Sequence, residues 1–339
     1  MSSSTSARTA SVGVGVGVGV GVGIVGARGY VGQELLRLLA RHPALEIAFV
    51  VSRSQTGEPV SQLVPGLPES LRFEDLSPDQ VAARGADAVI LALPNGLSAP
   101  LVAALAGAVV GAGDGAARRA PVIIDLSVDH RLRDDWVYGL PEHHRERIAG
   151  ARRIANPGCY ATAAALAVRP VVDLLAAPAT AFGVSGYSGA GTAPSPRNDV
   201  EALRDNLMPY HLLGHAHEAE LARHAGPVWL MPHVAPFFRG ITVTVSFRFQ
   251  APVSRGALLE RYQAAYGREP LVRITDEIPL VRDAMNHPGA ALGGFAVEEG
   301  GRRGVVVATL DNLLKGAASQ ALQNLNLALG FDELAGIAP

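Results

Sequence analysis

Short apolar runs and longer amphipathic segments alternate along the first half of the chain. The segment 31–41 places its apolar residues on one face of a helix. This alternation is typical of a doubly wound parallel sheet, the Rossmann-type α/β fold, and it continues to about residue 155. The runs that predict buried strands are residues 18–25, 46–51, 88–93 and 122–126.

The second half of the chain is rich in strand-like runs instead. Polar and apolar residues alternate most clearly over residues 242–247. The segment 312–330 predicts a helix with one apolar stripe, and we expect it to pack back on the first domain. These patterns predict an α+β second domain built on a mainly antiparallel sheet. Its predicted strands are residues 180–185, 228–232, 241–249 and 305–310.

The same patterns divide the chain into three predicted parts. Residues 1–17, which are rich in serine and Val-Gly repeats, form a low-complexity extension. Residues 18–158 form a nucleotide-binding domain, which the helix 312–330 completes. Residues 159–311 form a second domain, for which we expect a catalytic and dimerisation role.

Composition and charge exclude several classes of function. A net charge of −2, with 18% charged residues, offers no basic surface for nucleic acid or for an anionic membrane. Residues 88–113 carry no charge, but prolines and Pro94-Asn95-Gly96 divide them, so we expect buried core rather than a membrane span. A single cysteine excludes an internal disulfide and a cysteine-rich zinc site, and it fits a reducing, cytoplasmic setting. No metal site is predicted.

Three glycines with a spacing of three residues lie between the first predicted strand and the first predicted helix. Strand, glycine turn and helix form the context that a dinucleotide-binding turn requires, because the pyrophosphate lies on the helix N-terminus. A plain tight turn is the alternative. The predicted cofactor-binding residues of this turn are Gly26, Arg28, Gly29, Tyr30, Val31 and Gly32.

The second predicted strand ends in Ser52, Arg53 and Ser54, where an NAD-binding unit normally has an acidic residue for the ribose hydroxyl. An arginine between two hydroxyls suits a 2′-phosphate and therefore NADP(H). A solvated surface arginine is the alternative. Asn95 follows the next strand at the same predicted edge, where ligands of such sheets bind, and it is a further cofactor candidate.

The single cysteine, Cys159, follows Asn-Pro-Gly and precedes an Ala- and Leu-rich run, so a helix is predicted to begin at or just after it. Unpaired N–H groups at a helix start favour the thiolate, and we expect them to lower the thiol pKa and make Cys159 a nucleophile. A buried structural cysteine is the alternative. His215 and His217 offer a base, one ending a loop and the other starting a helix.

Several motifs taken together resemble the N-acetyl-gamma-glutamyl-phosphate reductase family over about residues 22–330. The glycine turn and the Asn-Pro-Gly-Cys-Tyr segment carry part of this resemblance, and four further motifs carry the rest. The long Ser-Gly loop with the His-Ala-His-Glu segment is most similar to the branch that includes the fungal bifunctional enzymes. The further motifs are Asp125-Leu126-Ser127-Val128-Asp129-His130-Arg131, Tyr138-Gly139-Leu140-Pro141-Glu142, Gly183-Val184-Ser185-Gly186-Tyr187-Ser188-Gly189-Ala190-Gly191 and Asp311-Asn312-Leu313-Leu314-Lys315-Gly316-Ala317.

The resemblance implies an NADPH-dependent reduction of a small-molecule acyl phosphate in arginine biosynthesis. It implies Cys159 as nucleophile, His215 or His217 as acid/base, Asn312 beside the cofactor, and a homodimer or homotetramer. Position 28 is usually Ser or Thr in the family, so Arg28 is a departure in the glycine turn. The candidate substrate residues are Ser127, Arg131, Asn156, Ser185, Gly186 and Arg239.

Three alternatives remain at this stage. Aspartate-semialdehyde dehydrogenase shares the architecture and the chemistry and differs in substrate, and an aminoadipate-type enzyme of lysine biosynthesis is more similar still. A non-catalytic NADP-sensing protein could keep the fold, but an intact cysteine and His-x-His pair argue against it.

Overall fold

The computed structural model of the protein describes residues 19–108 and 120–337. Three parts of the sequence predictions lie outside these residues. They are the extension over residues 1–17, the first residue of the first predicted strand, and the end of the charge-free stretch. Within the described residues, no helix is long and apolar enough to cross a membrane.

A parallel sheet forms the first half of the structure, as predicted. Its strand order is β3-β2-β1-β4-β5-β7-β6, and every neighbouring pair is parallel. The chain leaves β1 in one direction for β2 and β3 and returns to the other side of β1 for β4. The strands are β1 Val20–Val25, β2 Leu45–Val51, β3 Phe73–Glu74, β4 Ala88–Leu91, β5 Val122–Asp125, β6 Val137–Tyr138 and β7 Arg153–Ala155.

Helices cover both faces of this sheet, which confirms the doubly wound architecture. The helices α1, Tyr30–Leu39, and α10, Ala318–Leu329, share one apolar core with the sheet. The helices α2, Pro78–Ala83, and α3, Ala99–Gly107, cover the opposite face. The C-terminal helix thus packs on the first sheet.

A second, mainly antiparallel sheet follows, with the order β12-β13-β14-β11-β8-β10-β9. Four of its six strand pairs are antiparallel, whereas β8–β10 and β12–β13 are parallel. The strands are β8 Ala179–Gly186, β9 Met208–Pro209, β10 Val228–Ala235, β11 Ile241–Arg248, β12 Val272–Ile274, β13 Ala290–Val297 and β14 Arg303–Leu310. Sequence reasoning missed β9, β12 and β13.

One face of this second sheet packs on helices and the other remains open. The buried face meets α5, Cys159–Val168, in a core that also includes residues of α7 and α8. On the open face, Trp229 is 59% exposed and Phe182 is 41% exposed. The remaining helices are α4 Pro141–Ile148, α6 Val200–Leu203, α7 Ala216–His224, α8 Arg255–Tyr266 and α9 Val281–Ala284.

The C-terminal helix starts later than predicted. The sequence predicts helix from residue 312, but α10 begins at Ala318, and residues 312–317 form turns. The cause is Asp311, whose side chain accepts the backbone N–H groups of Leu313 and Leu314. Its carboxylate thereby competes with helical hydrogen bonding over this segment.

Candidate active site

Cys159 is the first residue of α5, so the predicted helix start is confirmed. The rest of the helix, residues 160–168, is fully buried, and Cys159 itself is half-buried at the end that faces a cavity. No side chain caps this helix start, because the N-cap residue is Gly158. The thiol therefore lies beside backbone N–H groups of the first helical turn.

The buried carboxylate of Glu220, on α7, holds the backbone directly before the cysteine. It accepts hydrogen bonds from the backbone N–H of Gly158 at 2.9 Å, from the Tyr138 hydroxyl at 2.7 Å and from the Arg131 guanidinium at 3.0 Å. Burial opposes its charge, but the Arg131 charge, the neighbouring His217 and these bonds together hold its pKa below the ordinary value. Glu220 therefore remains ionised and fixes the approach to Cys159.

Two close approaches in this region require glycine. A Cβ atom on Gly158 would lie 2.1 Å from Nε2 of His217 and 2.7 Å from a guanidinium nitrogen of Arg131. A Cβ atom on Gly316 would lie 2.7 Å from the Cβ of Cys159. Glycine at position 158 thus lets the histidine and the arginine approach the backbone directly before the cysteine, and glycine at position 316 lets the C-terminal turn approach the cysteine itself.

The pKa of the thiol differs from the sequence expectation. Burial raises it to about 11, although the backbone N–H of Tyr160 and the charge on Arg131 act to lower it. The helix start favours the thiolate, but the loss of water around the sulfur, which local sequence does not reveal, outweighs it. Cys159 therefore carries its proton in the unliganded protein and needs a base before it can attack.

Both candidate histidines reach the same cavity, and they use their ring nitrogens differently. His215 is the N-cap of α7, where its Nδ1 accepts the backbone N–H of His217 at 3.2 Å. His217 lies in the first turn, with Nε2 3.9 Å from the Glu220 carboxylate. The predicted placement of one histidine at the loop end and the other at the helix start is confirmed.

Nδ1 of His217 is buried, and no group in the described residues hydrogen-bonds to it. Burial lowers the pKa of His217 to about 3, and Glu220 only partly opposes this effect. The ring is therefore neutral at ordinary pH. Nε2 lies 3.9 Å from the Glu220 carboxylate, beyond hydrogen-bond distance, so neither ring nitrogen of His217 hydrogen-bonds to a group in the described residues.

A cavity of about 180 Å³ lies in front of the cysteine. It brings together five predicted residues, which are Cys159, Ser185, Gly186, His215 and His217. Sequence reasoning missed two polar residues of its lining, Arg197 and Tyr210, which lie in an irregular segment without a motif. It also missed Glu220, although its position three residues after His217 places both on one face of α7.

The other predicted substrate residues do not line this cavity. Ser127 donates to Asp125 at 2.8 Å, and Asn156 is buried against Asn324 and the carbonyl of Ala317. Arg131, behind the cysteine, donates to the carbonyls of Asn156 and Leu126 as well as to Glu220. Each has its hydrogen-bonding groups directed at the protein.

Arg239 lies between the second sheet and α1 rather than in the cavity at the thiol. Its guanidinium donates to Asp311 at 2.6 Å and to Glu34 of α1 at 3.0 Å. Asn312, a predicted cofactor residue, is also buried, and its amide joins Gly240 to Ser188. These two side chains connect the C-terminal turn to both halves of the structure.

The glycine turn fits a dinucleotide pyrophosphate. Gly26 has a φ of +88°, and a Cβ there would lie 2.2 Å from the carbonyl oxygen of Ala92, so β1 and β4 approach closely at the point where the strand order reverses. A Cβ on Gly32 would strike Ala27, so this glycine allows helix and strand to pack. A Cβ atom on Gly29, the N-cap of α1, would make only an ordinary van der Waals contact, 3.6 Å from the carbonyl oxygen of Gly26. Each glycine thus has a role that such a site needs.

The other predicted cofactor residues surround this edge of the sheet. Arg53 follows β2, and 85% of its side chain is exposed. Its Nε lies 3.5 Å from Oδ1 of Asp75, and an ion pair this exposed contributes little to stability. Asn95 accepts the backbone N–H of Val128 at 3.2 Å. The Arg28 guanidinium donates to the Thr192 hydroxyl at 3.3 Å. This hydrogen bond joins the glycine turn of the first half to a loop of the second half.

The remaining turn and strand-end residues complete the edge. Tyr30 begins α1 and stacks edge-on against Phe238, while Val31 follows in the first turn. Ser52 is buried at the end of β2, and Ser54 lies in the short turn after it. Within the described residues, no cluster of three or more His, Cys, Asp or Glu side chains is placed to hold a metal ion.

Two family models match the chain. Residues 21–151 match the NAD binding domain of semialdehyde dehydrogenase, and residues 159–312 match the dimerisation domain of semialdehyde dehydrogenase. The boundary between them falls at the segment that leads into Cys159.

Curated relatives share about half of the sequence. An N-acetyl-gamma-glutamyl-phosphate reductase from Stenotrophomonas maltophilia is 55% identical, over 93% of this chain and 96% of its own length. Reductases of the same name from Xanthomonas campestris and Xylella fastidiosa are 53% and 52% identical over 93% of this chain, covering 97% and 94% of their own lengths.

Solved structures share the fold at low identity. Aspartate semialdehyde dehydrogenase II from Vibrio cholerae, complexed with ASA, has a TM-score of 0.73 at 19% identity and covers 93% of this chain and 99% of its own. Aspartate semialdehyde dehydrogenase with NADP from Candida albicans has a TM-score of 0.69 at 17% identity, covering 94% and 99%.

The high thiol pKa predicts a steep pH dependence of alkylation. With a pKa of about 11, roughly one thiol in a thousand is ionised at pH 8. The rate of modification of Cys159 by iodoacetamide in the unliganded protein should therefore rise about tenfold per pH unit from pH 7 to 10. The rate is measured by mass spectrometry of the cysteine-containing peptide. A plateau below pH 8 would contradict the burial argument.

Proposed function

The chain belongs to the N-acetyl-gamma-glutamyl-phosphate reductase family, and from that premise we propose that it reduces N-acetyl-gamma-glutamyl phosphate to N-acetylglutamate semialdehyde with NADPH, releasing phosphate, in arginine biosynthesis. The observation that carries the proposal is the single cysteine at the start of a buried helix, in one cavity with both histidines. An acyl phosphate offers this thiol an electrophilic carbon and a good leaving group.

The first half of the reaction forms a bond to the cysteine. Cys159 loses its proton to a histidine, its sulfur attacks the acyl carbon, and phosphate leaves with the bonding electron pair. The product is a thioester on Cys159. The negative oxygen of the tetrahedral intermediate is stabilised by backbone N–H groups at the start of α5, which no side chain caps.

The second half reverses the proton transfer. When bound, the reduced nicotinamide supplies a hydride to the thioester carbon. A histidine then donates a proton as the resulting hemithioacetal collapses, which releases the aldehyde and returns the cysteine to its starting state. Sulfur leaves easily at this step, so the thioester is a competent intermediate.

The hydrogen bonding of the two histidines favours different roles for them. His217 lines the cavity with the thiol, and its neutral ring has no hydrogen-bond partner in the described residues, so it is suited to accept the thiol proton, with the Glu220 carboxylate 3.9 Å away to stabilise the resulting charge. His215 uses Nδ1 as a helix cap, so its neutral ring carries the proton on Nε2 and acts as a hydrogen-bond donor to the substrate.

The residues present fit NADPH as the cofactor. The glycines of the turn after β1 and the N–H groups at the start of α1 would hold the pyrophosphate. Arg53, at the end of β2, would pair with the 2′-phosphate. Residues 18–158 with the helix 312–330 form the cofactor domain in this proposal, and residues 159–311 form the catalytic and dimerisation domain.

Substitutions separate the base from its neighbour. Cys159→Ala should abolish turnover but keep NADPH affinity, because the glycine turn is untouched. His217→Asn should lower kcat about 10²–10⁴-fold through loss of the base. His215→Asn should lower it much less, because asparagine preserves the helix cap. Steady-state kinetics and cofactor fluorescence measure these effects, and a larger loss in His215→Asn would reverse the assignment.

Cofactor choice depends on Arg53. Arg53→Glu should weaken NADPH binding about 10- to 100-fold, because a charge-assisted bond to the 2′-phosphate is lost and repulsion is added. NADH binding should change little. Fluorescence titration of the protein with each cofactor measures this, and Arg41→Glu, an exposed position just beyond the other end of α1, is the matched control. Equal affinity of the wild type for both cofactors would contradict the proposal.

We propose a homodimer or homotetramer assembled through the open face of the second sheet. The exposed Trp229 and Phe182 on this face are the kind of apolar surface that a second copy would cover. Trp229→Glu should shift the protein to monomer in sedimentation velocity, whereas Leu213→Glu, at a loop residue that is 90% exposed, should not. A monomeric wild type would refute this assembly.

A further inference from the structure

Arg197 contributes a permanent positive charge to the cavity in front of Cys159. The residue lies between β8 and α6 in an irregular segment, and it lines the same cavity as the thiol and the two histidines. Burial lowers the pKa of His215 and raises that of Tyr210, and the charge on Arg197 shifts both downward. Its charge therefore acts on the groups that surround the substrate position.

The segment that carries Arg197 is held in place by the next residue. The amide of Asn198 donates to the carbonyls of Gly191 and Ala193 at 2.8 and 2.7 Å. Its oxygen accepts the backbone N–H of Ser195 at 2.8 Å. These three bonds close the loop on itself, so the backbone at Arg197 is fixed although it belongs to no helix or strand.

The guanidinium is stacked but not paired. Its central carbon lies 4.9 Å from the centre of the Tyr210 ring. In the described part of the chain, no carboxylate forms an ion pair with Arg197, whereas the arginines behind the active site, Arg131 and Arg239, are each paired with buried acids. Stacking occupies the face of the guanidinium and leaves its N–H edge available for a planar anion.

Building on the proposed function, we propose that Arg197 binds an oxyanion of the substrate and so positions the acyl carbon at Cys159. A carboxylate or a phosphate matches the two parallel N–H groups of a guanidinium edge. The proposed substrate carries both, at opposite ends of a short chain. Binding either one at a fixed point of a 180 Å³ cavity orients the other end of the molecule.

A test that needs no turnover uses two alkylating reagents of similar size. Iodoacetate carries a carboxylate, and iodoacetamide is neutral. If Arg197 binds oxyanions, the rate of Cys159 alkylation by iodoacetate divided by the rate by iodoacetamide should fall about tenfold in Arg197→Gln. This ratio should fall much less in Arg197→Lys, which keeps the charge. Arg204→Gln, which removes an exposed arginine paired with Glu201, should leave the ratio unchanged.

The iodoacetamide rate serves as an internal control for folding, because it should be similar in all variants. NADPH affinity should also be retained. A ratio that does not change in Arg197→Gln would overturn the proposal, as would an equal fall in the Arg204→Gln control.

The reverse reaction distinguishes the two oxyanions, because there the semialdehyde and inorganic phosphate are separate reactants. A rise of about tenfold in KM for the semialdehyde alone in Arg197→Gln assigns the carboxylate, and a rise for phosphate alone assigns the phosphate. Unchanged KM values for both refute the proposal. A wild type inert towards this semialdehyde refutes the proposed function instead, and the alkylation ratio then decides the role of Arg197.

Discussion

The arrangement of the active site depends on one buried carboxylate, that of Glu220. Its oxygens accept hydrogen bonds from Arg131 in the loop after β5, from Tyr138 of β6 and from the backbone N–H of Gly158, which precedes Cys159. Burying a carboxylate is unfavourable unless its charge and its lone pairs are matched. Because three donors from different parts of the chain match this one at once, displacing any of them leaves the buried carboxylate incompletely compensated.

This constraint explains why the candidate catalytic groups lie where the two halves meet. Glu220 belongs to α7, which packs with α5 on the second sheet, while Arg131 anchors the same carboxylate to the loop after β5. The Arg239 pairs with Asp311 and Glu34 provide a second connection nearer the glycine turn. The thiol and the cofactor turn are thus held by separate ionic contacts across one interface.

Local patterns in the sequence predict much of this arrangement. The glycine turn, the helix start at Cys159 and the N-terminal position of the histidines follow from residues close in sequence, so they could be recognised there. The contacts of Arg131 and Arg239 could not be recognised there, because the sequence does not show whether an arginine in a motif binds a ligand or a buried acid. Arg197 was missed for the opposite reason, since its loop carries no periodic signal.

Burial is the other quantity that a sequence does not provide. The helix start alone predicts a lowered thiol pKa, but desolvation reverses the direction, and the same effect keeps His217 neutral. The strand Ala290–Val297 was missed because its small residues and paired glycines give no alternation, although its neighbours on the sheet determine its pairing. In each case the deciding interaction comes from residues that are distant in sequence.

The central claim is that the acyl group passes through Cys159, and trapping that intermediate tests it most directly. The wild-type protein is incubated with N-acetylglutamate semialdehyde and NADP⁺ in the absence of phosphate, so that the thioester has no phosphate to accept its acyl group. Intact-protein and peptide mass spectrometry should then show one N-acetylglutamyl adduct on Cys159, which disappears when phosphate is added. An adduct on another residue, or turnover with no adduct at all, would contradict the covalent mechanism.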